Sequence, residues 1–503
     1  MNIKERINKI ALWLIFAVWL VFNGILLIRH ELWRDEANVW LMARNLSPWE
    51  LLSEIKYQGH PCLWYLLVMP LAKAGLPFKS IGVLSLFIMS FAAIVFLKKM
   101  PICLPIKGIC LFSPIFTYFY SDIARNYCLI AILLILLAWC YPQRNEKTLL
   151  YGLFLGLLVQ ADTIAIAPAG MISLVWVCES IWKSVRHKNP ETVMRVWKGA
   201  LIPLISLLFW IWQFYKVSDS PEFAVRELGL GELIREVKNF AFAILIRMTG
   251  WEKNACFLFL LLLLVAMLVI SVRVRSLQAM IVLVFSFLFQ AFFSAVIYQL
   301  HIWHYISLCF VFIWSIWILQ FQMKEKECKD RISQGAMWIV ELLIGVLAIC
   351  MFINWNSDGE SSNLSNAWNG LYSDGVNTAE FIEENIPENE LIVSDNIPMA
   401  STVLAYLDGY CFYYAGSGEP ASYADWSERQ SGTVSFADLV SWVQTSFPEK
   451  ERFFLLETGQ SCVYDAEALA DCRVLYQTKE QTARGEEYTI YMVDINAVNG
   501  EEK

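Results

Sequence analysis

Residues 33–36 read Trp-Arg-Asp-Glu, and further along the chain residues 58–61 read Gln-Gly-His-Pro. A long apolar segment at residues 11–28 precedes this stretch, and many more apolar segments follow it. Carboxylates beside membrane-spanning helices are costly to keep and usually mark chemistry or transport. We therefore expect Asp35 and Glu36 to lie just outside a lipid bilayer, at the floor of a functional site.

The composition around this stretch is that of a polytopic α-helical membrane protein. Of the 503 residues, 57 % are hydrophobic and 17 % are charged, whereas soluble globular proteins have about 45–50 % and about 25 %. A bilayer core of roughly 30 Å needs about 20 apolar residues per helix, which predicts about 11 transmembrane helices. The predicted spans are residues 10–29, 79–97, 102–120, 124–141, 148–163, 164–182, 199–217, 254–272, 277–298, 302–321 and 335–355.

The charge balance changes sign near residue 355 and predicts two domains. Residues 356–503 contain 26 acidic and 7 basic side chains, whereas residues 1–355 contain 21 acidic and 32 basic ones. Helix-like and strand-like segments alternate after residue 356, which predicts a small C-terminal α/β domain. An acidic region of this size argues against a nucleic-acid partner. We predict helices at 377–385, 399–407 and 436–445, and strands at 391–394, 412–414, 452–456, 472–476 and 488–494.

Basic loops orient the predicted helices, because lysine and arginine are enriched on the cytoplasmic side. The placement of the apolar segment 61–76 decides which of the later loops are predicted to be cytoplasmic. If it lies along the membrane surface, every basic loop falls on one side, and if it crosses, the basic cluster at 183–198 becomes external. We therefore predict a first external loop at 30–78 with an interfacial helix. The N-terminus is then cytoplasmic and the C-terminal domain extracytoplasmic, in a multi-pass protein of the cell membrane.

The cysteines give no indication of a metal or redox motif. Most of the thirteen lie in apolar segments, where cysteine behaves as a small hydrophobic residue, and no C-x-x-C pair occurs. Whether Cys462 and Cys472 of the C-terminal domain pair in a disulfide stays open from the sequence.

Asp35 and Glu36 have two interpretations. A carboxylate beside a membrane groove can take a proton from an acceptor hydroxyl or amine as a general base. Alternatively, the pair stabilises the start of a short helix at 37–46 through the helix dipole.

Three motifs together resemble one family. Residues 33–37 read Trp-Arg-Asp-Glu-Ala, residues 58–65 read Gln-Gly-His-Pro-Cys-Leu-Trp-Tyr, and residues 121–127 read Ser-Asp-Ile-Ala-Arg-Asn-Tyr. This set resembles the membrane glycosyltransferases of the GT-C class, in the branch of the family 39 protein O-mannosyltransferases and the ArnT-like lipid A aminoarabinose transferases. Cys62 stands where that branch has a second proline, and Asp122-Ile123 where it has a glutamate. The likeness is clear over about residues 10–180.

The resemblance implies a GT-C-like transmembrane catalytic domain at 1–355 that moves a sugar from a polyprenyl-phosphate donor held in the membrane lipid. It puts Asp35 at the position of the catalytic base and makes Glu36 hold the acceptor or assist. Arg125 would bind the donor phosphate, because a guanidinium gives bidentate hydrogen bonds to phosphate, and Tyr127 accompanies it in the motif. A snorkelling interfacial arginine is the other interpretation of Arg125.

Four further residues are predicted to bind substrate. His60 occupies the histidine position of the second motif, although a lone histidine at a helix start often has no ligand. Asp162, at the edge of a predicted span, would pair with Arg125 or bind sugar hydroxyls. His301 and His304 lie at another predicted external junction, and two histidines without a third ligand do not make a specific metal site. We therefore expect them to contact phosphate or sugar.

The sequence thus predicts an inverting glycosyltransferase that transfers a hexosyl or pentosyl group from a polyprenyl-phosphate donor. The acceptor would be a protein, a lipid or an envelope glycan. No cofactor is expected to be required, although a divalent metal on Asp35 and Glu36 stays open. A lipid or sugar transporter or flippase without transferase activity is the alternative, and it explains intramembrane-edge charges equally well. The absence of an internal sequence repeat favours the enzyme.

Overall fold

The computed structural model describes residues 3–187, 190–215, 226–356, 364–370, 372–414, 416–427, 430, 434–459, 464 and 467–495. Up to residue 356 the described chain is almost entirely helical, with single 3-10 turns at Ile55–Tyr57, Tyr141–Gln143 and Thr163–Ala165. The helices are α1 (Ile3–Arg29), α2 (Arg34–Asn45), α3 (Pro48–Glu54), α4 (Leu63–Lys73), α5 (Ser80–Lys99), α6 (Leu104–Phe112), α7 (Tyr127–Cys140), α8 (Thr148–Val159), α9 (Ile166–His187), α10 (Pro190–Phe214), α11 (Leu230–Thr249), α12 (Lys253–Val274), α13 (Gln278–Val296), α14 (Ile302–Glu325) and α15 (Arg331–Trp355).

Eight helices in the described part of the chain are long and apolar enough to cross a membrane, namely α1, α5, α9, α10, α12, α13, α14 and α15. Each coincides with a predicted span. The other three predicted spans, at 102–120, 124–141 and 148–163, contain the shorter helices α6, α7 and α8, of 9, 14 and 12 residues. At 1.5 Å per residue these helices cover only about 14–21 Å. The residues beyond their ends form turns, and two of those turns carry site residues.

The segment predicted as an interfacial helix, 61–76, forms the 11-residue helix α4. Its length of about 16 Å is too short to cross a bilayer core. Trp64, Tyr65 and Val68 are buried, and α4 packs on α2. The first loop is therefore a packed layer on the end of the helical domain.

The chain after residue 364 forms a small mixed sheet with helices. The helices are α16 (Leu364–Asn369), α17 (Gly375–Asn385), α18 (Ile397–Tyr406) and α19 (Phe436–Ser446). The strands are β1 (Ile392–Ser394), β2 (Phe412–Tyr414), β3 (Glu419–Ala421), β4 (Arg452–Thr458), β5 (Arg473–Gln477) and β6 (Tyr488–Asp494), in the order β3-β2-β1-β4-β6-β5. β1 is parallel to β2 and β4, and the remaining pairs are antiparallel.

Every helix and strand predicted in this domain is present, and β3 is the strand that the sequence missed. Its residues Glu-Pro-Ala are poor strand formers, and Pro420 is tolerated because β3 lies at the edge of the sheet. The proposed disulfide lies outside the described residues, because Cys462 is not among them.

The C-terminal domain rests on the first loop of the helical domain. Helix α18 packs on α2, which also packs on α4. Arg44 of α2 donates to the carbonyl oxygens of Leu404 and Leu407, at 3.2 and 3.1 Å. The ring of Phe78 lies 5.0 Å from that of Tyr406 and 5.8 Å from that of Trp40. Helix α2 is therefore held between α4 and the second domain, which fixes the position of its first turn.

Candidate active site

A polar cavity of about 430 Å³ lies where the first loop, the turn before α7, the start of α14 and the C-terminal domain meet. Seven of the eight predicted site residues line it, although they come from five separate stretches of the chain. They are Asp35, His60, Arg125, Tyr127, Asp162, His301 and His304.

Glu36 is the predicted site residue that lies outside the cavity. Its side chain is fully buried and accepts hydrogen bonds from the backbone N–H groups of Trp33, at 3.1 Å, and Ala124, at 2.6 Å. His30 Nε2 lies 3.1 Å from the same carboxylate. The position of Glu36 thus fits an anchor that ties the start of α2 to the turn before α7, rather than the predicted catalytic or acceptor-binding role.

The turn that presents Arg125 has an unusual backbone. Tyr118 has a φ of 70°, a left-handed conformation that is an outlier for a bulky residue. The Tyr118 N–H donates to Ser121 Oγ at 2.8 Å, and its carbonyl accepts from the N–H groups of Asp122 and Ile123 at 2.8 and 2.9 Å. Such strain costs roughly 1–3 kcal/mol and persists only where the surroundings enforce it. Here Tyr118 is completely buried.

Arg125 joins two predicted site residues. Its Nη1 forms an ion pair with Asp35 Oδ2, and its Nη2 donates to His60 Nε2 at 2.7 Å. Because an arginine can only donate, Nε2 of His60 must be the acceptor, and a neutral His60 carries its proton on Nδ1. That nitrogen lies 3.2 Å from Asp162 Oδ2. Asp35, Arg125, His60 and Asp162 therefore form a continuous polar chain across the cavity.

The loop that carries His60 is fixed by polar contacts with α10. Gln160, at the end of α8, accepts a hydrogen bond from Gln213 Nε2 at 2.7 Å, and Gln213 Oε1 accepts from the Cys62 N–H at 3.0 Å. Thr163 Oγ1 donates to the carbonyl of Gly59 at 3.2 Å. Gly59 has a φ of 69°, which glycine adopts without strain.

Asp162 is held by its own neighbours. Its Oδ2 accepts from Asn126 Nδ2 at 2.6 Å, and its Oδ1 accepts from the Ile164 N–H at 2.9 Å. The pairing with Arg125 that the sequence suggested is therefore indirect, through His60.

Tyr127 and the two later histidines form a second group. The Nδ1 of His304 accepts from the His301 N–H at 2.9 Å, so a neutral His304 carries its proton on Nε2. Nε2 lies 3.1 Å from the Tyr127 hydroxyl, which is thereby left to donate its own proton elsewhere. The His301 ring stacks on Trp303 with the centroids 4.8 Å apart.

The charges around the two aspartates keep them ionised. Burial alone would raise the pKa of Asp35, but the positive charges of Arg125, Arg34 and Arg484 outweigh it and lower that pKa. Burial likewise opposes ionisation of Asp162, and the proximity of His60 nevertheless lowers its pKa. Burial and the charge of Arg484 lower the pKa of His301, which favours a neutral ring.

The C-terminal domain supplies lining residues that the sequence did not predict. Arg484 and Trp426 both border the cavity. The segment around Trp426 is clamped to the first loop: Asn38 Oδ1 accepts from the Ala424 N–H at 2.8 Å, and Gln58 Nε2 donates to the Ala424 carbonyl at 3.0 Å. No local motif marks these residues. Arg484 stands out only as one of seven basic residues in an acidic region.

The lining suits an anionic ligand that must be held next to a carboxylate. Its charged residues other than histidine are three arginines and two aspartates, namely Arg34, Arg125, Arg484, Asp35 and Asp162. Guanidinium groups bind phosphate oxygens in bidentate geometry. Within the described residues, no group of three or more histidine, cysteine, aspartate or glutamate side chains could hold a metal ion.

Eight long apolar helices, short helices between them and a small sheet domain over a polar cavity make this a multi-pass membrane protein, and the likeness to a solved ArnT structure shows that its fold is ArnT-like, of the GT-C class. The predicted fold class, a polytopic helical membrane protein with a small C-terminal sheet domain, is therefore confirmed, whereas the predicted number of about 11 spans is not, because eight helices of the described chain are long enough to cross a membrane. A crystal structure of ArnT from Cupriavidus metallidurans in the apo state matches over 95 % of this chain and 97 % of that chain, with a TM-score of 0.53 at 12 % identity. The structure of that ArnT bound to undecaprenyl phosphate matches over the same shares, with a TM-score of 0.48 at 11 % identity. No family model and no curated protein matches the chain.

Proposed function

We propose that this protein is a membrane glycosyltransferase that moves a hexosyl or pentosyl group from a polyprenyl-phosphate donor to an acceptor. The observation that carries the proposal is the cavity in which Asp35 and Arg125 meet. In an ArnT-like fold, one end of this pair can bind the donor phosphate while the other accepts a proton. The three sequence motifs that resemble GT-C glycosyltransferases supply the Asp35, His60 and Arg125 of this cavity.

Asp35 and Arg125 have different roles in the reaction. The acceptor hydroxyl or amine attacks the anomeric carbon, and its proton passes to the Asp35 carboxylate. The bond between the anomeric carbon and the phosphate oxygen breaks, and its electron pair stays on polyprenyl phosphate. Attack from the face opposite the leaving group inverts the anomeric configuration. The leaving phosphate gains negative charge, which Arg125 stabilises.

The ion pair between Asp35 and Arg125 makes the two tasks interdependent. A carboxylate whose pKa is lowered is a weak base at neutral pH. When a donor phosphate takes over hydrogen bonds of Arg125, the positive charge is shared and the basicity of Asp35 rises. His60, which Asp162 supports from its other ring nitrogen, holds the opposite side of the guanidinium meanwhile. The hydroxyl of Tyr127 is available to the sugar or phosphate.

The proposal includes an orientation and a cofactor requirement. The N-terminus would be cytoplasmic and the C-terminal domain extracytoplasmic, so transfer occurs at the extracytoplasmic face onto a protein, lipid or envelope glycan. No cofactor would be required, and of the two carboxylates on which the sequence left a divalent metal open, only Asp35 lines the cavity, where it is paired with Arg125.

Replacing Asp35 with asparagine tests the base. Asp35→Asn keeps the size of the side chain but loses the proton acceptor, so transfer from an undecaprenyl-phosphate sugar to water-soluble or lipid acceptors should fall by about 10²–10⁴. Asp35→Glu retains the carboxylate and should keep more activity. Turnover of purified protein, measured as release of undecaprenyl phosphate, is the assay.

Asp408→Asn is the matched control, because Asp408 also pairs with an arginine, at 3.1 Å, but is 95 % exposed and lies outside the cavity. It should turn over like the wild type. Near-normal turnover of Asp35→Asn would contradict the assignment. If the wild-type protein moves the lipid-linked sugar across a vesicle membrane without cleaving it, the transporter alternative replaces the enzyme.

A further inference from the structure

Arg484 of the C-terminal domain enters the cavity through an aromatic cage formed largely by the helical domain. Its guanidinium carbon lies 4.3 Å from the ring centroid of Trp33, 4.9 Å from that of Trp303 and 4.9 Å from that of Tyr372. Nε and Nη2 both donate to the Tyr372 hydroxyl, at 2.7 and 2.5 Å. These contacts fix the plane of the guanidinium and remove much of its water.

The turn that carries Arg484 is anchored at both ends. Gly485 has a φ of 64°, which allows the chain to reverse directly after the arginine. The Glu486 N–H donates to Thr482 Oγ1 at 2.8 Å, and the Glu486 carboxylate accepts from the Arg34 N–H at 3.0 Å. Arg484 is therefore delivered to the cavity by a rigid part of the second domain.

An aromatic cage holds a cation without removing its charge, because rings attract it through their quadrupole alone. Arg484 borders the same cavity as Arg125, Asp35 and His301. In an apolar surrounding, a fixed guanidinium interacts with an anion more strongly than it would in water. The cage thus prepares Arg484 to bind an anionic group of the substrate.

The position of the cage favours the lipid-linked substrate. Trp303 belongs to the first turn of α14, one of the eight helices able to span a membrane, and Trp33 directly precedes α2. Tryptophan side chains are enriched where a spanning helix reaches the headgroup level. The phosphate of a membrane-anchored donor lies at this depth.

We propose that Arg484 is a phosphate-binding residue that the C-terminal domain contributes to the active site, where it contacts the phosphate of the polyprenyl-linked donor together with Arg125. The inference rests on the proposed function and adds to it that the site is incomplete without the second domain. During transfer the leaving phosphate goes from one negative charge to two, and two guanidinium groups stabilise that change better than one.

The test is binding of undecaprenyl phosphate and of undecaprenol, which has the same tail without the phosphate, to the full-length protein. Native mass spectrometry can measure both affinities without any sugar transfer. Arg484→Gln should weaken undecaprenyl phosphate binding by roughly 10- to 100-fold, the range for losing a hydrogen bond to a charged group. It should leave undecaprenol binding unchanged. Arg484→Lys should fall between Gln and the wild type, because an ammonium keeps the charge but not the planar fork.

Arg473→Gln is the control, since Arg473 lies on the exposed face of β5, outside the cavity. The inference is overturned if Arg484→Gln binds undecaprenyl phosphate as Arg473→Gln does. It is also overturned if Arg484→Gln weakens the binding of both lipids equally, because the arginine would then only hold the domains together.

These experiments measure lipid binding, so their result is independent of the loss of sugar transfer measured in the Asp35 experiment. A wild-type protein that binds phosphate without transferring sugar would contradict the proposed function and retain the role of Arg484.

Discussion

The Asp35–Arg125 pair gives the cavity a titration behaviour that activity can report. Burial opposes the charge of Asp35, and the guanidinium of Arg125 is the largest influence that favours it. The net effect lowers the pKa of Asp35, so its carboxylate stays ionised further into the acid range than an ordinary aspartate. If Asp35 is the base, the rate falls only when that carboxylate is protonated.

We therefore predict that Arg125→Gln moves the acid limb of the kcat/KM–pH profile to higher pH. Removing the positive charge leaves burial unopposed at this contact, so the pKa of Asp35 rises and protonation begins nearer to neutral. The overall rate should also fall, because the phosphate loses its bidentate partner. The position of the limb does not depend on the amount of folded enzyme. A limb that stays in place, or moves to lower pH, would show that Asp35 is not the group being titrated.

At the scale of the element, the start of α2 depends on Glu36. This residue occupies the third helical position, from which its carboxylate reaches back to the Trp33 N–H, as in a capping box. Its other oxygen accepts from the Ala124 N–H, in the turn before α7. One buried side chain thus sets the distance between the elements that carry Asp35 and Arg125.

Glu36→Gln should act on stability more than on chemistry. A neutral amide can accept at only one atom, and its NH₂ group would face the N–H groups that the carboxylate now satisfies. An unsatisfied buried donor costs about 1–3 kcal/mol, which should appear as a lower thermal unfolding temperature. Turnover per folded molecule should fall much less than in Asp35→Asn. Equal losses of turnover in both variants, with the unfolding temperature unchanged, would return Glu36 to the catalytic group.

The elements also show what sequence reasoning could and could not reach. Hydropathy located the eight long helices, because a bilayer demands an unbroken apolar run. Hydropathy also predicted that the span containing α6 continues through residues 113–120, because the apolar character of that segment does not indicate that Tyr118 adopts a left-handed conformation. The three motifs identified four cavity residues, Asp35, His60, Arg125 and Tyr127, and the edges of the later predicted spans gave Asp162, His301 and His304. Arg484 could not be found in this way, since its place depends on how the second domain docks. Glu36 was predicted to be a site residue but lies outside the cavity, because adjacent residues of a helix point in different directions.

At the scale of the whole molecule, the junction between the two domains contains a buried carboxylate. Glu486 is completely buried and accepts from the Arg34 N–H of the helical domain, and from Ser373 and Thr402 of its own domain at 2.7 and 2.9 Å. Burial outweighs these hydrogen bonds and raises the pKa of Glu486 from 4.5 to about 7. The same junction supports the turn that holds Arg484, so its stability bears directly on the site.

Because the pKa of the Glu486 carboxyl is higher in the folded than in the unfolded protein, folding stability decreases as the pH rises between the two values. The contribution of protonated Glu486 is fully present below its unfolded pKa of 4.5 and is lost as the pH rises through about 7. We therefore predict that the unfolding temperature of the wild type, minus that of Glu486→Gln, decreases as the pH is raised across this interval. The glutamine is neutral at every pH and nearly isosteric, so it removes this titration. Glu31, whose pKa burial also raises to about 7, is present in both proteins, so its effect cancels in the difference.

Thermal unfolding of the purified proteins at matched pH values measures this difference in unfolding temperature. A difference that is constant, or that grows with pH, would mean that Glu486 stays ionised at the junction, with Arg34 compensating its charge.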